Sequence, residues 1–201
     1  MRQRLGIFGG TFDPPHIGHL ILAAEAHSQL SLDRVLWVLT FYPPHKTEQS
    51  ISPLSDRLDM VLAAISDDPR FELSRVDIDR PAPHYAVDTV RLLKETCPQS
   101  ELVYLMGGDS LKSLPYWYKP LEFVAGCHSL GVMRRPGDQI NLKWLESQIP
   151  SIHSKIRFID APLIEVAASQ IRERIRQKRS FRYFLVPRVW KIIQNGNLYR
   201  S

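Results

Sequence analysis

Cysteine is scarce in this 201-residue chain, which holds only Cys97 and Cys127. Two isolated thiols make neither a disulfide framework nor a metal-ligand spacing, and their rarity fits a reducing, cytoplasmic setting. No apolar run approaches the roughly 18 residues that a membrane span needs. The N-terminal Met1-Arg2-Gln3-Arg4 is basic, but the apolar stretch behind it breaks at Gly9-Gly10, too short for a signal peptide. The 10 glycines and 15 prolines follow no period, which excludes a fibrous repeat. What is present is ordinary for a globular protein, with 44% hydrophobic and 23% charged residues, too apolar for a disordered chain. At this length a single domain over residues 1–201, with an ample core, is expected.

Charge is unevenly spread. The chain carries 26 Lys and Arg against 21 Asp and Glu, a net +5. Residues 172–191 alone hold eight basic side chains (Arg172, Arg174, Arg176, Lys178, Arg179, Arg182, Arg188, Lys191) and one acid, Glu173. A local patch of this kind is either a solvated helix face or a site for an anion, whether nucleotide phosphate or nucleic-acid backbone.

Short apolar runs alternate with segments of helical period. Leu5–Gly9, Val35–Leu39, Phe71–Ser74, Leu102–Met106, Ser129–Met133 and Ile156–Ile159 read as strands. Val35–Leu39 is apolar throughout, as in a strand buried on both faces. Helical patterns begin at Ile17, near Ser52-Pro53, around Val87, at Ser169 and at Pro187. The alternation predicts an α/β fold with a doubly wound, Rossmann-like parallel sheet. In such sheets ligands sit beyond the carboxyl ends of the strands.

The most informative loop follows the first strand: Gly9-Gly10-Thr11-Phe12-Asp13-Pro14-Pro15-His16-Ile17-Gly18-His19. No Gly-Lys-Ser/Thr closes it, so it is not a Walker loop, and Gly6, Gly9 and Gly10 lack the dinucleotide spacing. Two histidines three apart share one face of a helix's first turn, where free N–H groups favour an anion. Gly18 between them leaves room for a phosphate. As a metal pair they lack a nearby third ligand in the sequence. The segment resembles the His-x-Gly-His motif of the nucleotidyltransferase superfamily. The full string through Leu20 is similar to that of the bacterial nicotinate-nucleotide adenylyltransferase family, and later motifs fall in that family's order along essentially the whole chain.

The resemblance implies a set of site residues. His16, His19 and Lys46, the last in Pro43-Pro44-His45-Lys46, take catalytic places, with Arg57 as a weaker support. Gly9, Gly10, Thr11, Phe12 and Gly18 line ATP, as do Gly107 and Asp109 of Met106-Gly107-Gly108-Asp109-Ser110. Arg134, after the fifth strand, and Ser169, Ile171 and Arg172, in a second superfamily motif, complete the ATP set. The acceptor falls to Thr11, Lys46, Tyr85, Ala86, Asp88, Trp117 and Tyr118. Three positions depart from the family pattern. His84 and Ala86 stand where Ser and Thr are usual, and Ala167 replaces the usual first Ser of the second motif.

The chemistry so implied is attack by a mononucleotide phosphate on the α-phosphorus of ATP, with Mg²⁺ carried on the triphosphate. The expected acceptor is nicotinate mononucleotide, in NAD biosynthesis. Nicotinamide mononucleotide, or pantetheine phosphate as in another member of the superfamily, is the alternative. A nucleic-acid-binding domain using residues 172–191 and a catalytically dead nucleotide sensor are the rivals outside this chemistry. The former needs neither His16 nor His19. No membrane partner is expected, and self-association is left open.

Overall fold

The computed structural model describes residues 2–41, 51–133, 139–162 and 164–200. Six strands form one sheet: β1 (Arg4–Gly10), β2 (Arg34–Leu39), β3 (Phe71–Ser74), β4 (Glu101–Gly107), β5 (Ser129–Met133) and β6 (Ile156–Ile159). Their order is β3-β2-β1-β4-β5-β6, and every neighbouring pair is parallel. This is the expected doubly wound sheet. The strand runs legible in the sequence match the observed strands to within a residue at either end.

Nine helices occur among the described residues: α1 (Ile17–Gln29), α2 (Leu54–Ile65), α3 (Ala86–Thr96), α4 (Gly108–Ser113), α5 (Pro120–Gly126), α6 (Leu142–Gln148), α7 (Ile152–Lys155), α8 (Ala168–Arg176) and α9 (Pro187–Asn195). The apolar pattern anticipates α1, α2, α3, α8 and α9. It misses α4 to α7, which are short. Gly107-Gly108-Asp109 does not merely close a strand, because Gly107 is the N-cap of α4.

Side chains alternate along each strand and so divide the core in two. Leu5, Ile7, Leu36, Val38, Leu102, Met106, Leu130 and Val132 meet α3, α4, α5, α6 and α7 on one face. Phe8, Val35, Trp37, Leu39, Val103 and Leu105 meet α1 and α2 on the other. A third cluster joins Met60 of α2 to Ile171 and Ile175 of α8 and to Val189 and Ile193 of α9. Because α1 and α4 leave adjacent strands toward opposite faces, a crevice opens at the carboxyl ends of β1 and β4.

Away from that crevice, Lys155 closes the carboxyl end of α5. Its Nζ donates to the carbonyls of Val124 at 2.6 Å and Cys127 at 2.7 Å, where the helix dipole also favours a cation. Lys155→Met is expected to lower stability by about 1–3 kcal/mol while leaving turnover unchanged, as read by urea unfolding beside an activity assay.

Candidate active site

The loop after β1 is fixed by a buried wedge. Phe12 is 2% exposed and packs on Phe8, Trp37 and His19, with ring centroids 5.4, 4.9 and 5.2 Å away. Its φ is +46°, a left-handed conformation that costs a non-glycine residue of order 1–2 kcal/mol. The apolar burial of the ring offsets that cost. Phe12 therefore shapes the loop from beneath.

Two histidines stand at the start of α1. His16 is the N-cap, and the rings of His16 and His19 stack 3.6 Å apart at 27°. The backbone N–H of His16 donates to Nδ1 of His19 at 3.1 Å. A nitrogen that accepts this bond carries no proton, so a neutral His19 bears its proton on Nε2. His16 is 7% exposed, and desolvation pulls its pKa down to about 4. Its Nδ1 is buried with no hydrogen-bond partner among the described residues, which is the kind of atom a polar ligand satisfies. Gly18 makes this arrangement possible, since a Cβ there would lie 3.1 Å from His16 Nδ1 and 3.2 Å from Cε1.

A second helix start lies beside the first. The carbonyl of Val166, just ahead of α8, is 3.9 Å from the Cβ position of Gly18. Arg172 of α8 donates to the carbonyl of Asp13 at 2.7 Å. The N-cap of α8 is Ala167, with no side-chain acceptor, although Gln170 Oε1 accepts from the Ala167 N–H at 3.2 Å. The first-turn N–H groups of α8 thus remain open to an anion. An open groove of ≈ 720 Å³ runs from this point along α8, past Ser169, Arg172, Arg174, Arg176 and Arg179.

Two buried polar residues tie the site to the rest of the fold. Arg57 of α2 is 1% exposed. It donates to the carbonyls of Thr11 at 3.0 Å, Thr40 at 2.8 Å, Phe41 at 3.2 Å and Ser52 at 3.0 Å. It thereby joins the loops after β1 and β2 to the entry of α2. Asp13, 4% exposed, accepts from the Tyr199 hydroxyl at 2.6 Å and from the Ser52 N–H at 3.1 Å. Burial, then the Asp13 charge, holds the Tyr199 phenol well above its usual pKa. Sequence reasoning placed Asp13 in the motif without a role, gave Arg57 only a supporting one, and passed over Tyr199.

Of the residues expected on the acceptor side, Tyr85, Ala86 and Trp117 pack against the opposite face of the sheet. Tyr85, the N-cap of α3, stacks on Tyr118 at 4.2 Å. Trp117 packs on Phe123 at 5.3 Å and donates from Nε1 to the Ser113 hydroxyl at 3.3 Å. A buried network sets the loop ahead of α3. Asp77 accepts from the Thr89 hydroxyl at 2.7 Å and from Arg80 Nε at 3.1 Å, and Arg80 also donates to the carbonyls of Pro83 and Tyr85. His84 is buried, with Nε2 3.3 Å from the Arg80 carbonyl.

Several expected ligand residues are occupied elsewhere. Ile171 is fully buried in the core, and its N–H donates to Ala167, so it supports α8 from within and does not face a ligand. Asp88 pairs with Arg91 at 3.5 Å on the surface of α3. Asp109 is exposed at the start of α4, within 3.9 Å of Lys112. Gly107 has open space where a Cβ would be. Much of the basic segment is spent on structure: Arg174 on the Ser180 carbonyl and Phe184, Arg176 on Glu173, Arg182 on Trp190, and Arg188 on Asp67. Lys46 and Arg134 lie outside the described residues.

The model of the cytidylyltransferase-like family matches residues 7–174. The nicotinate-nucleotide adenylyltransferase of Bacillus subtilis is 37% identical over 99% of this chain and 100% of its own length. The chain belongs to that family. The probable nicotinate-nucleotide adenylyltransferase of Thermomicrobium roseum is 42% identical over 99% of this chain and 92% of its own. The fold is also that of the Plasmodium falciparum nicotinic acid mononucleotide adenylyltransferase complexed with NaAD, with a TM-score of 0.80 over 98% of each chain at 16% identity.

Two outcomes follow from this geometry. Arg57→Met leaves four carbonyls without their shared donor, and a loss of at least about 3 kcal/mol is expected, together with a fall in turnover, measured by urea unfolding and initial rates. The depressed pKa of His16 adds a pH dependence. Unfolded, His16 binds a proton near 6.5, and folded only near 4. Between those values the unfolded state holds more protons, so stability rises with pH. Acidifying from about pH 7 to about pH 4 is expected to cost on the order of 3 kcal/mol through His16. In His16→Gln that part of the slope should vanish.

Proposed function

We propose that this chain transfers the adenylyl group of ATP to nicotinate mononucleotide, giving deamido-NAD and pyrophosphate, a step of NAD biosynthesis. The observation that carries the reading is the stacked His16–His19 pair between two helix N-termini. It stands in a chain that aligns end to end with nicotinate-nucleotide adenylyltransferases.

A phosphate monoester has a second pKa of about 6 and is mostly dianionic at neutral pH. It needs no general base to attack the α-phosphorus. The P–O bond to the incoming phosphate forms as the bond to pyrophosphate breaks, and the electron pair leaves with the pyrophosphate. The work left to the protein is to align two polyanions and to stabilise charge on the bridging and leaving oxygens. His19, with its proton on Nε2, donates to the reacting phosphates. His16, uncharged at neutral pH, contributes a hydrogen bond to the triphosphate. Ser169, the open N–H groups of α8 and the backbone of Gly9, Gly10 and Thr11 hold the rest of ATP, with Lys46 and Arg134 adding positive charge. Mg²⁺ enters with the phosphates, and the described residues assemble no group of three or more His, Cys, Asp or Glu side chains to cage it.

On the acceptor side, Trp117 offers a flat face for the pyridine ring, a contact worth about 0.5–1.5 kcal/mol beyond burial. Tyr85 and Tyr118 flank it, and backbone N–H groups at Ala86 and Tyr118 take the ring carboxylate. With Ala86 in place of Thr, recognition there falls to the backbone. Thr11 and Lys46 hold the acceptor's phosphate.

The test mixes purified protein with Mg-ATP and either nicotinate or nicotinamide mononucleotide, and measures pyrophosphate and dinucleotide. Preference for nicotinate is expected, and no product with either would overturn the reading. His19→Ala should reduce turnover by about 10²-fold or more with little loss of stability. Equal losses of folding and activity would remove His19 from its role.

A further inference from the structure

Tyr104 has no part in the transfer described above. It lies in the middle of β4, in register with Ile7 of β1, and its side chain joins the core face covered by α3 and α5. Edge contacts from Phe123, at 4.9 Å, and Trp117, at 6.2 Å, fix the ring. The hydroxyl reaches along the sheet to the end of β1, where a Cβ on Gly9 would stand 3.1 Å from it. The tip of the side chain is therefore at the crevice between β1 and β4, over a residue that has no side chain of its own.

The side-chain contacts of Tyr104 among the described residues are ring contacts, and its hydroxyl at the end of β1 is not sealed from the crevice. The ring is enclosed, but the residue as a whole is only partly buried. Burial first, then the charge of Asp77, keeps the phenol protonated far above neutral pH. It is thus a neutral donor at the crevice, open to water or to a ligand group that displaces water.

The neighbours say which ligand. Trp117 and Asp77 both belong to the acceptor half, the first as the ring platform and the second as the anchor of the loop before α3. His16, His19 and α8 lie across the sheet with Phe8, Phe12 and Met60. We propose that the Tyr104 hydroxyl hydrogen-bonds the acceptor mononucleotide, and not ATP, from the floor of the crevice. This rests on the adenylyl-transfer reading and adds a contact to it.

Tyr104→Phe keeps the ring and its packing and removes only the oxygen. Its thermal midpoint should match that of the wild type. The KM for the acceptor should rise about three- to tenfold, the range of one net hydrogen bond, with the KM for ATP and kcat unchanged, as for a contact equal in ground and transition states. Calorimetric titration with nicotinate mononucleotide should show the same weakening. A rise for nicotinate mononucleotide alone would place the bond on the ring substituent, and an equal rise with nicotinamide mononucleotide would place it on the shared ribose or phosphate. Either supports the inference. An unchanged acceptor KM, or an equal rise in the KM for ATP, overturns it. If the wild-type protein makes no dinucleotide, the proposed function fails instead.

Discussion

A guanidinium inside a protein must find acceptors for nearly all of its N–H groups, because leaving a charge unpaired away from water costs more than a fold can spare. Arg57 meets that demand with carbonyls from Thr11, Thr40, Phe41 and Ser52. Each of those carbonyls belongs to a segment with no regular ladder of its own. One side chain thereby converts loop ends into a fixed frame, and the histidine pair inherits its position from that frame. The sheet brings the loops near one another, while the buried cation sets their spacing.

The frame also sorts the chemistry by face. On the α1 side, aromatic rings enclose His19 and burial keeps His16 uncharged. Two helix starts and the Arg172 guanidinium stand there, oriented before any anion arrives. On the α3 side the ionic pair Asp77–Arg80 is turned inward to hold a loop, so aromatic surface faces the crevice. The two sides of a single sheet thus differ in character, one with two helix starts and stacked imidazoles, the other with stacked tyrosines.

The strands were legible because each is a short run of apolar residues, and Val35–Leu39 is buried throughout as its composition implies. The helices with a long apolar period were equally plain. Helices α5 and α6 are too short to show an apolar period, and their local signals are Pro120 at the first turn of one and Asn141, whose side chain accepts from the Trp144 N–H at 3.0 Å, in the other. The two histidines were legible as a pair because they lie within four residues of one another, and their rings stack. Arg57, Asp13 and Tyr199 act through partners up to 186 residues away, and such pairings depend on which loops meet, which periodicity does not encode. Ile171 was misread for the opposite reason, since a residue inside a ligand motif can be there to pack. With Ala at position 167, no described side chain accepts from the first-turn N–H groups of α8, and only Gln170 reaches back to the Ala167 N–H.

Asp13 binds Tyr199 through one oxygen and the start of α2 through the other, while Arg172 grips its carbonyl. The loop ahead of α1 is thus buttressed by residues 159 and 186 positions further along the chain. Synthesis on a ribosome runs in one direction, so the histidines are made before the groups that hold their loop, and its lock can close only once Arg172 and Tyr199 have followed.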